Sequence, residues 1–237
     1  MVWLFVIVGA LFFGLILYWQ FILAEGAYFG SALVALLYDW TAERYNSIKA
    51  FNEAEEDFTL GRPLANRLYT QPEALVLDVA TGTGRLAFTL LRQPNYQGRI
   101  IGLDRASKML AVARRDLEAQ YPGRVMLVQA DAMALPFADN SLPAVTNLEA
   151  MEFYPDPKHG LTEMIRVLQP ISAHNPDGGW LLTTNRIGWE AKLMPGKTWS
   201  RLQLEAILDQ FPLRYIDIQI WETIYDLIWA QKIEEEA

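Results

Sequence analysis

A strand that runs into a glycine turn and then into a helix constrains this sequence more than any other feature. The segment from Leu75 to Ala87 is LVLDVATGTGRLA, in which a short apolar run precedes Gly82 and Gly84. Glycine lets the backbone bend sharply and lets a ligand approach closely. A helix that begins at such a turn presents unpaired N–H groups to whatever binds there. The segment therefore predicts a strand–helix unit with a ligand site at its turn.

Strand-like and helix-like segments alternate after residue 74, a pattern typical of a parallel sheet with helices on both faces. We predict five strands, near 74–79, 99–103, 124–129, 143–149 and 179–185. Helices should follow near 84–93, 107–119, 157–168 and 199–210. The end of the chain, from Leu213 to Ala230, has the pattern of two strands joined around Trp221–Thr223. The expected fold is α/β: a Rossmann-like, doubly wound, seven-stranded sheet, mostly parallel, with an antiparallel C-terminal hairpin.

The first 24 residues contain no charged side chain, and Gln20 is their only strongly polar one. At 1.5 Å per residue, such a helix is long enough for the ~30 Å hydrocarbon core of a bilayer. A cleaved signal peptide is the alternative, but signal peptides have a basic n-region and a shorter apolar core. Because no Lys or Arg precedes the apolar run, we predict an uncleaved transmembrane helix. Four regions are expected: an anchor (1–24), cap helices and linker (25–70), a catalytic domain (71–232) and a tail (233–237).

The next segment is also uncharged, from Gly26 to Tyr38, but it is too short to span a membrane. It should be a buried or interfacial segment. Leu33, Leu36, Leu37 and Trp40 fall at i, i+3, i+4 and i+7, which predicts the apolar face of an amphipathic helix.

Charge and composition exclude several classes of partner and chemistry. The formal net charge of −8 is the wrong sign for a nucleic-acid groove, so we predict no nucleic-acid partner. The absence of Cys excludes disulfides, thiolate metal sites and a cysteine nucleophile. With only two His residues, a His-rich metal site is not expected either, and we predict no metal. The sequence does not indicate an oligomeric state.

Two ligands compete for the glycine turn. The stretch from Gly82 to Ala87 fits the dinucleotide fingerprint G-x-G-x-x-G/A, which favours a nicotinamide or flavin enzyme. However, Asp78 lies four residues before Gly82, and its carboxylate would repel a pyrophosphate. It would attract an ammonium group beside a sulfonium, the charges of S-adenosylmethionine. A glycine turn without a ligand is the third interpretation.

The segment Leu77–Gly84 resembles motif I of the class I S-adenosylmethionine-dependent methyltransferases, especially the quinone-biosynthesis-like or type 11-like branch. The likeness covers about residues 33–231. A second acid at a predicted strand end, Asp104, can reach a ribose diol. The pattern Asp-Ala-x-x-Leu-Pro-Phe begins at Asp131, whose carboxylate can accept from an adenine amino group beside the Ala132 N–H. Three motifs in the family's order favour a methyltransferase over a nicotinamide-dependent oxidoreductase.

The resemblance implies a set of site residues. The residues expected to bind the cofactor, S-adenosyl-L-methionine, are Asp78, Ala80, Thr81, Gly82, Thr83, Gly84, Asp104, Arg105, Met109, Asp131, Ala132, Asn147 and Leu148. Glu149 and Glu152 are candidates for a base or for orienting the acceptor. Tyr45 is a third candidate, because the helix that carries Tyr38 and Tyr45 resembles one that closes over the cofactor in the family.

Two features lie outside the motifs shared with the family. His159 should be an exposed loop residue, and residues 171–177 form an insertion that the family lacks.

The expected function is a membrane-anchored methyltransferase with a single-pass helix and a cytoplasmic catalytic domain. Its acceptor should be a small molecule, apolar or lipid-like, such as a quinone precursor. A nicotinamide-dependent oxidoreductase and a non-catalytic cofactor-binding membrane scaffold are the alternatives.

Overall fold

A seven-stranded mixed sheet forms the centre of the computed structural model, which describes residues 1–173 and 175–234. In chain order its strands are β1 (Val76–Val79), β2 (Ile100–Asp104), β3 (Val125–Gln129), β4 (Ala144–Asn147), β5 (Trp180–Arg186), β6 (Leu213–Trp221) and β7 (Tyr225–Lys232). Their spatial order is β3-β2-β1-β4-β5-β7-β6. Strands β1 to β5 are parallel, and β7 pairs antiparallel with both β5 and β6. The predicted fold class is confirmed, although β4 ends two residues earlier than expected.

Helices cover both faces of the sheet and precede it in the chain. They are α1 (Val2–Tyr18), α2 (Ser31–Lys49), α3 (Glu53–Glu56), α4 (Arg62–Arg67), α5 (Arg85–Leu91), α6 (Ser107–Gln120), α7 (Pro157–Val167), α8 (Gly188–Lys192) and α9 (Arg201–Leu208). The four helices predicted after residue 80 correspond to α5, α6, α7 and α9. The short α8 was not predicted, because its five residues lack a helical repeat of apolar positions.

Two apolar clusters pack against the opposite faces of the sheet. All four residues of β1 are buried: Leu77 and Val79 belong to one cluster and Val76 to the other. Successive side chains of a strand point to opposite faces, so a strand covered on both sides is apolar almost throughout. This double burial explains why the continuous apolar runs of the sequence predicted the central strands well.

The outer edge of the sheet is irregular. Strand β6 pairs with β7, but the register shifts between Arg214 and Asp217. Within the shift, Tyr215 has a φ of 53°, in the left-handed region. This is a β-bulge, which bends and twists the strand that carries it.

One N-terminal helix, Val2–Leu23, is long and apolar enough to cross a membrane by its length and composition. It comprises α1 and the π-helical turn Trp19–Leu23, and its most apolar stretch is not buried against the rest of the protein. A signal sequence near the N-terminus would meet the same criterion.

Only half of the predicted apolar face of α2 points away from the protein, because Leu33 and Leu37 are part-buried beside Gly26. Leu36 and Trp40 are exposed by 63% and 85%, whereas Val34 and Ala42 are buried. The face packed toward α6 consists of Ala35, Tyr38, Ala42 and Tyr45. The rule that apolar residues face inward therefore fails for Leu36 and Trp40.

The insertion and the tail are described in part. Residues 171–173 and 175–177 form a turn in which the Asn175 N–H donates to Ser172 Oγ (3.0 Å), while His174 lies outside the described residues. Ile233 bridges to Ile171, and residues 235–237 of the predicted tail also lie outside the described residues.

Candidate active site

A largely apolar cleft lies beyond the carboxyl ends of β1 to β4, where open parallel sheets bind ligands. It spans about 750 Å³, including space that is open to solvent. An adjoining cavity, about 380 Å³ by the same measure, shares part of its wall, namely Tyr45, Ala80, Gly82, Leu148 and Glu149. Together the two cavities are lined by twelve predicted site residues: Tyr45, Asp78, Ala80, Thr81, Gly82, Thr83, Asp104, Arg105, Asp131, Ala132, Leu148 and Glu149.

The two glycines of the turn have different roles. Both have positive φ, 55° at Gly82 and 93° at Gly84. A Cβ on Gly84 would lie 2.6 Å from Leu117 Cδ1, so this glycine lets α6 pack against the turn. A Cβ on Gly82 would meet no atom of the described residues within 4 Å, yet Gly82 lines both cavities. Gly82 is therefore the position where a ligand can approach the backbone.

Asp78 lies at the smaller cavity, near the carboxyl end of β1. Its carboxylate accepts hydrogen bonds from the hydroxyls of Thr81 (2.6 Å) and Thr146 (2.8 Å). Burial disfavours the charged form and raises the pKa of Asp78 to about 6. This carboxyl therefore titrates close to neutral pH.

Asp104 ends β2 and faces the main cleft. Its two oxygens accept from the N–H groups of Gly82 and Ala106, each at 2.8 Å. Burial raises its pKa, although these backbone hydrogen bonds oppose the shift. The glycine turn and the second strand are thereby joined at one point of the cleft wall.

Asp131 follows β3 and pairs with Arg105, which follows the neighbouring strand β2, at the cleft wall. The same guanidinium donates to Ser31 Oγ at the start of α2, at 2.8 Å. The second oxygen of Asp131 accepts from the Met133 N–H at 3.0 Å. Arg105 thus links α2 to the end of the third strand.

Four predicted site residues do not line either cavity among the described residues: Gly84, Met109, Asn147 and Glu152. Met109 is fully buried beside α2, in a cluster with Ala42 and Val112. The Asn147 amide donates to the Val79 carbonyl (2.9 Å) and to the Tyr154 hydroxyl (2.8 Å). The structure therefore gives Met109 and Asn147 packing and bracing contacts behind the cleft.

Glu152 belongs to an internal network instead of the cleft. It is only 1% exposed, and it accepts a hydrogen bond from the Tyr225 hydroxyl at 2.9 Å. Arg186 Nε lies 3.9 Å from the same oxygen. Burial raises the pKa of Glu152. Among the described residues, Glu152 thus contacts Tyr225 and does not line either cavity.

An ionic cluster that sequence reasoning missed forms one side of the smaller cavity. Arg85, the first residue of α5, pairs with Glu56, Glu149 and Glu222. Lys49 Nζ lies 2.6 Å from the second oxygen of Glu149. Burial opposes ionisation of Glu149, but Lys49 and Arg85 outweigh this effect and lower its pKa. Glu149 is therefore an ionised carboxylate engaged by two cations.

Aromatic rings hold the Arg85 guanidinium in place. Its central carbon lies 4.3 Å from the centroid of the Phe51 ring and 4.7 Å from that of Trp221. Cation–π contacts of this kind add to the ion pairs. The only sequence signal was a basic residue directly after the glycine turn, since Glu56 and Glu222 are 29 and 137 residues away.

Tyr45 and Tyr38 cover the cleft from α2. Their rings lie 5.9 Å apart, and the Tyr38 hydroxyl donates to Glu25 at 3.0 Å. Burial raises the pKa of Tyr45, with the charge of Glu149 as the next cause. Tyr45 therefore keeps its proton at neutral pH and is a hydrogen-bond donor. His159 is exposed, as predicted, but it lies in the first turn of α7 and not in a loop; one of its ring nitrogens lies 3.0 Å from the Met133 carbonyl oxygen.

Comparisons with known proteins agree with this arrangement. Residues 76–171 match the family model described as a methyltransferase domain. Demethylmenaquinone methyltransferase of Desulfitobacterium hafniense is 28% identical over 195 residues, which are 77% of each chain. The enzyme of the same name from Bacillus cereus is 38% identical over 100 residues, and the chain thus spans less than half (42%) of that relative.

The solved structures show the same fold. An S-adenosyl-L-methionine-dependent methyltransferase from Methanococcus maripaludis has a TM-score of 0.59 at 19% identity, covering 84% of this chain and 94% of its own. The methyltransferase-domain match, the demethylmenaquinone methyltransferase relatives and the shared fold together support a class I S-adenosylmethionine-dependent methyltransferase. A solved neighbour with the same fold binds S-adenosylhomocysteine, which supports S-adenosylmethionine over the nicotinamide alternative as the cofactor. The relatives that match the sequence of this chain are named for a quinone-like acceptor.

Proposed function

We propose that this methyltransferase is anchored to a membrane and methylates a small apolar acceptor, quinone-like or lipid-like. The observation that carries this proposal is the contrast between the two adjoining cavities. The smaller one has charged groups, Asp78, Arg85 and Glu149. The larger one has charged groups at the strand ends, Asp104, Arg105 and Asp131, but the rest of its wall is mostly apolar and includes Val34 and Phe153. The amino-acid end of the cofactor would match the smaller cavity, its nucleoside the strand ends of the larger one, and an apolar acceptor the apolar wall.

The residues of the larger cleft fit the nucleoside part of S-adenosylmethionine. Asp104 has two carboxylate oxygens at the strand end, where a ribose diol can donate to them. Asp131 and Ala132 lie at the next strand end, within reach of an adenine edge. Gly82 leaves the backbone open between the two cavities. We assign these four residues to cofactor binding.

The ionic cluster fits the amino-acid end. An α-carboxylate needs a cation, which Arg85 supplies, and an ammonium group needs a carboxylate, which Asp78 beside the cluster supplies. Oppositely charged groups in a low-dielectric site interact far more strongly than in water. The cluster would therefore hold a zwitterion in one orientation.

These residues would catalyse methyl transfer by holding the cofactor and the acceptor in the right relative position. The bound cofactor supplies a methyl group that its sulfonium already activates. Holding two reactants in line lowers a barrier by as much as ~7–11 kcal/mol, so no nucleophilic side chain is required. Tyr45 lines both cavities and can donate a hydrogen bond to a polar atom of the acceptor. Glu149 lies beside it and would orient that group as a carboxylate acceptor.

The placement that we propose follows from the N-terminal helix. It would span the membrane once and remain uncleaved, with the catalytic domain on the cytoplasmic side, where the cofactor is made. The helix ends at Leu23 and α2 begins at Ser31, so the linker is short. A short tether raises the effective concentration of a lipid-soluble acceptor at the cleft.

The reaction can be tested with the full-length protein in lipid vesicles, cofactor labelled in its methyl group, and a total lipid extract. We expect label in organic-extractable small molecules, and none in a reaction without protein. Label confined to the aqueous or protein fraction would contradict the proposed acceptor class. Binding of S-adenosylhomocysteine without any labelled product would instead favour the non-catalytic scaffold.

Cofactor affinity should depend on pH through Asp78. If its carboxylate holds the ammonium group, affinity for S-adenosylhomocysteine should increase as the pH rises through about 6, the pKa of Asp78. Stability should change in the opposite direction. The unfolded group has a pKa of about 3.9, so at intermediate pH the folded protein binds more protons, and its stability falls as pH rises.

Calorimetric titration would measure the pH dependence of the affinity, and thermal unfolding would measure that of the stability. The Asp78→Asn variant should lose the part of each pH dependence that comes from Asp78. Asp104, whose pKa is also raised, stays intact in that variant. An affinity that does not change with pH would exclude Asp78 as the partner of the ammonium group.

A further inference from the structure

The first half of α2 is apolar on two opposite faces. Val34, Ala35 and Tyr38 line the main cleft on one side. Leu36 and Trp40 lie on the other side and are exposed by 63% and 85%. A helix that caps a cleft in water normally has a polar outer face. The second half of α2 has one, since Glu43 and Ser47 are exposed there.

A second exposed apolar surface, around α8, lies beside the end of the N-terminal helix. Trp19 Nε1 donates to the Leu193 carbonyl at 2.9 Å, and the Tyr28 hydroxyl donates to the Pro195 carbonyl at 2.9 Å. These bonds hold the residues around α8 beside the end of the apolar helix. In that region Trp189 is 63% exposed and Leu193 is 38% exposed.

The linker joins these surfaces. The Phe29 ring is exposed and lies 5.8 Å from that of Phe21, in the last turn of the apolar helix. On α2, the side chains of Leu33 and Leu37 lie close to Gly26, so the helix starts directly against the linker. The chain carries no charged residue from Gly26 to Tyr38.

We propose that an interfacial face, consisting of Phe29, Leu36, Trp40, Trp189 and Leu193, rests in the headgroup region of the bilayer. The inference depends on the proposed anchoring by α1 and goes beyond it, because it assigns a lipid contact to the catalytic domain. Trp and other aromatic side chains favour the membrane–water boundary. Phe29 of this face contacts Phe21 of the helix Val2–Leu23, so one bilayer would account for both.

This docking gives α2 a defined place between lipid and cleft. Its outer side chains contact the bilayer, and its inner side chains form the cleft wall. An apolar acceptor would then pass from the bilayer beside α2 into the cleft without crossing water. The partner of this face is a lipid surface.

The absence of Cys from the sequence allows a direct test with single cysteines in the full-length protein. Leu36→Cys and Trp189→Cys would carry an environment-sensitive fluorophore on the interfacial face. Leu202→Cys is the matched control, because Leu202 is 78% exposed on α9. Leu11→Cys would report on the anchor itself. Each variant is reconstituted into phosphatidylcholine–phosphatidylglycerol vesicles with or without spin-labelled quencher lipids, and S-adenosylhomocysteine binding confirms its folding.

We expect quencher lipids to remove about half of the emission at positions 36 and 189, as at position 11, because these probes would share the interfacial or apolar zone. Emission at position 202 should stay unchanged. Quenching at position 11 without quenching at 36 and 189 would overturn this inference and leave the anchor standing. No quenching at position 11 would overturn the anchor and the inference together. Emission at 36 or 189 that changes with the protein-to-lipid ratio and resists quenching would assign the face to a second copy.

Discussion

Replacement of Arg85 by methionine is expected to destabilise the protein by about 3–5 kcal/mol, the cost of leaving buried charges without their partner. The side chains of Glu56 and Glu149 are only 7% and 8% exposed, and both pair with Arg85. In the variant, these carboxylates would face each other and Glu222 with Lys49 as the nearest remaining cation. Thermal unfolding of the full-length protein in detergent would show a decrease of roughly 6–20 °C, at about 2–4 °C per kcal/mol.

Arg115→Met is the matched control for charge and size. Arg115 pairs with Glu43 and Asp116 on the surface, and its side chain is 58% exposed. Exposed pairs often contribute nothing measurable, so its unfolding temperature should not change. Equal unfolding temperatures for Arg85→Met and the unchanged protein would refute the view that the cluster is a single electrostatic unit.

Substitution of Gly82 by alanine should separate cofactor binding from stability. The new methyl group would lie more than 4 Å from every other atom of the described residues, but it would lie where the two cavities join. Displacing a bound ligand by one methyl group costs about 1–3 kcal/mol, so affinity for S-adenosylhomocysteine should fall about 5–150-fold. The left-handed backbone should cost a further ~1–2 kcal/mol of stability.

Gly123→Ala isolates the second effect. Gly123 has a φ of 71° and the same open surroundings among the described residues, but it lies before β3, at the opposite end of the strands from the cleft. It should lose the same stability and keep its affinity, as measured by calorimetric titration. Equal affinities for the two variants would exclude Gly82 from the cofactor site.

The sequence predicted those parts of the site that follow from strand ends. Asp78, Asp104 and Asp131 each lie at the end of an apolar run, and the carboxyl ends of parallel strands meet at one edge. Their convergence on the two cavities could therefore be predicted without any long-range contact.

Other features depend on contacts between distant parts of the chain. Arg85 acquires Glu56 and Glu222 only when α3 and the β6–β7 turn come together. Glu152 resembled a cleft residue because it follows β4, but the 3₁₀ turn at Met151–Phe153 directs it inward to Tyr225. Local pattern carries no information on either pairing.

The bulge in β6 affects how copies of this protein can associate along the edge of the sheet. A regular edge strand offers a row of unpaired N–H and C=O groups on which another chain can polymerise. In β6 that row is interrupted between Arg214 and Asp217, where Tyr215 takes a left-handed conformation. An incoming strand loses its register at this point, so growth of the sheet stops at its seventh strand. At high concentration, copies of the protein would therefore contact one another along this edge without forming a continuous intermolecular sheet.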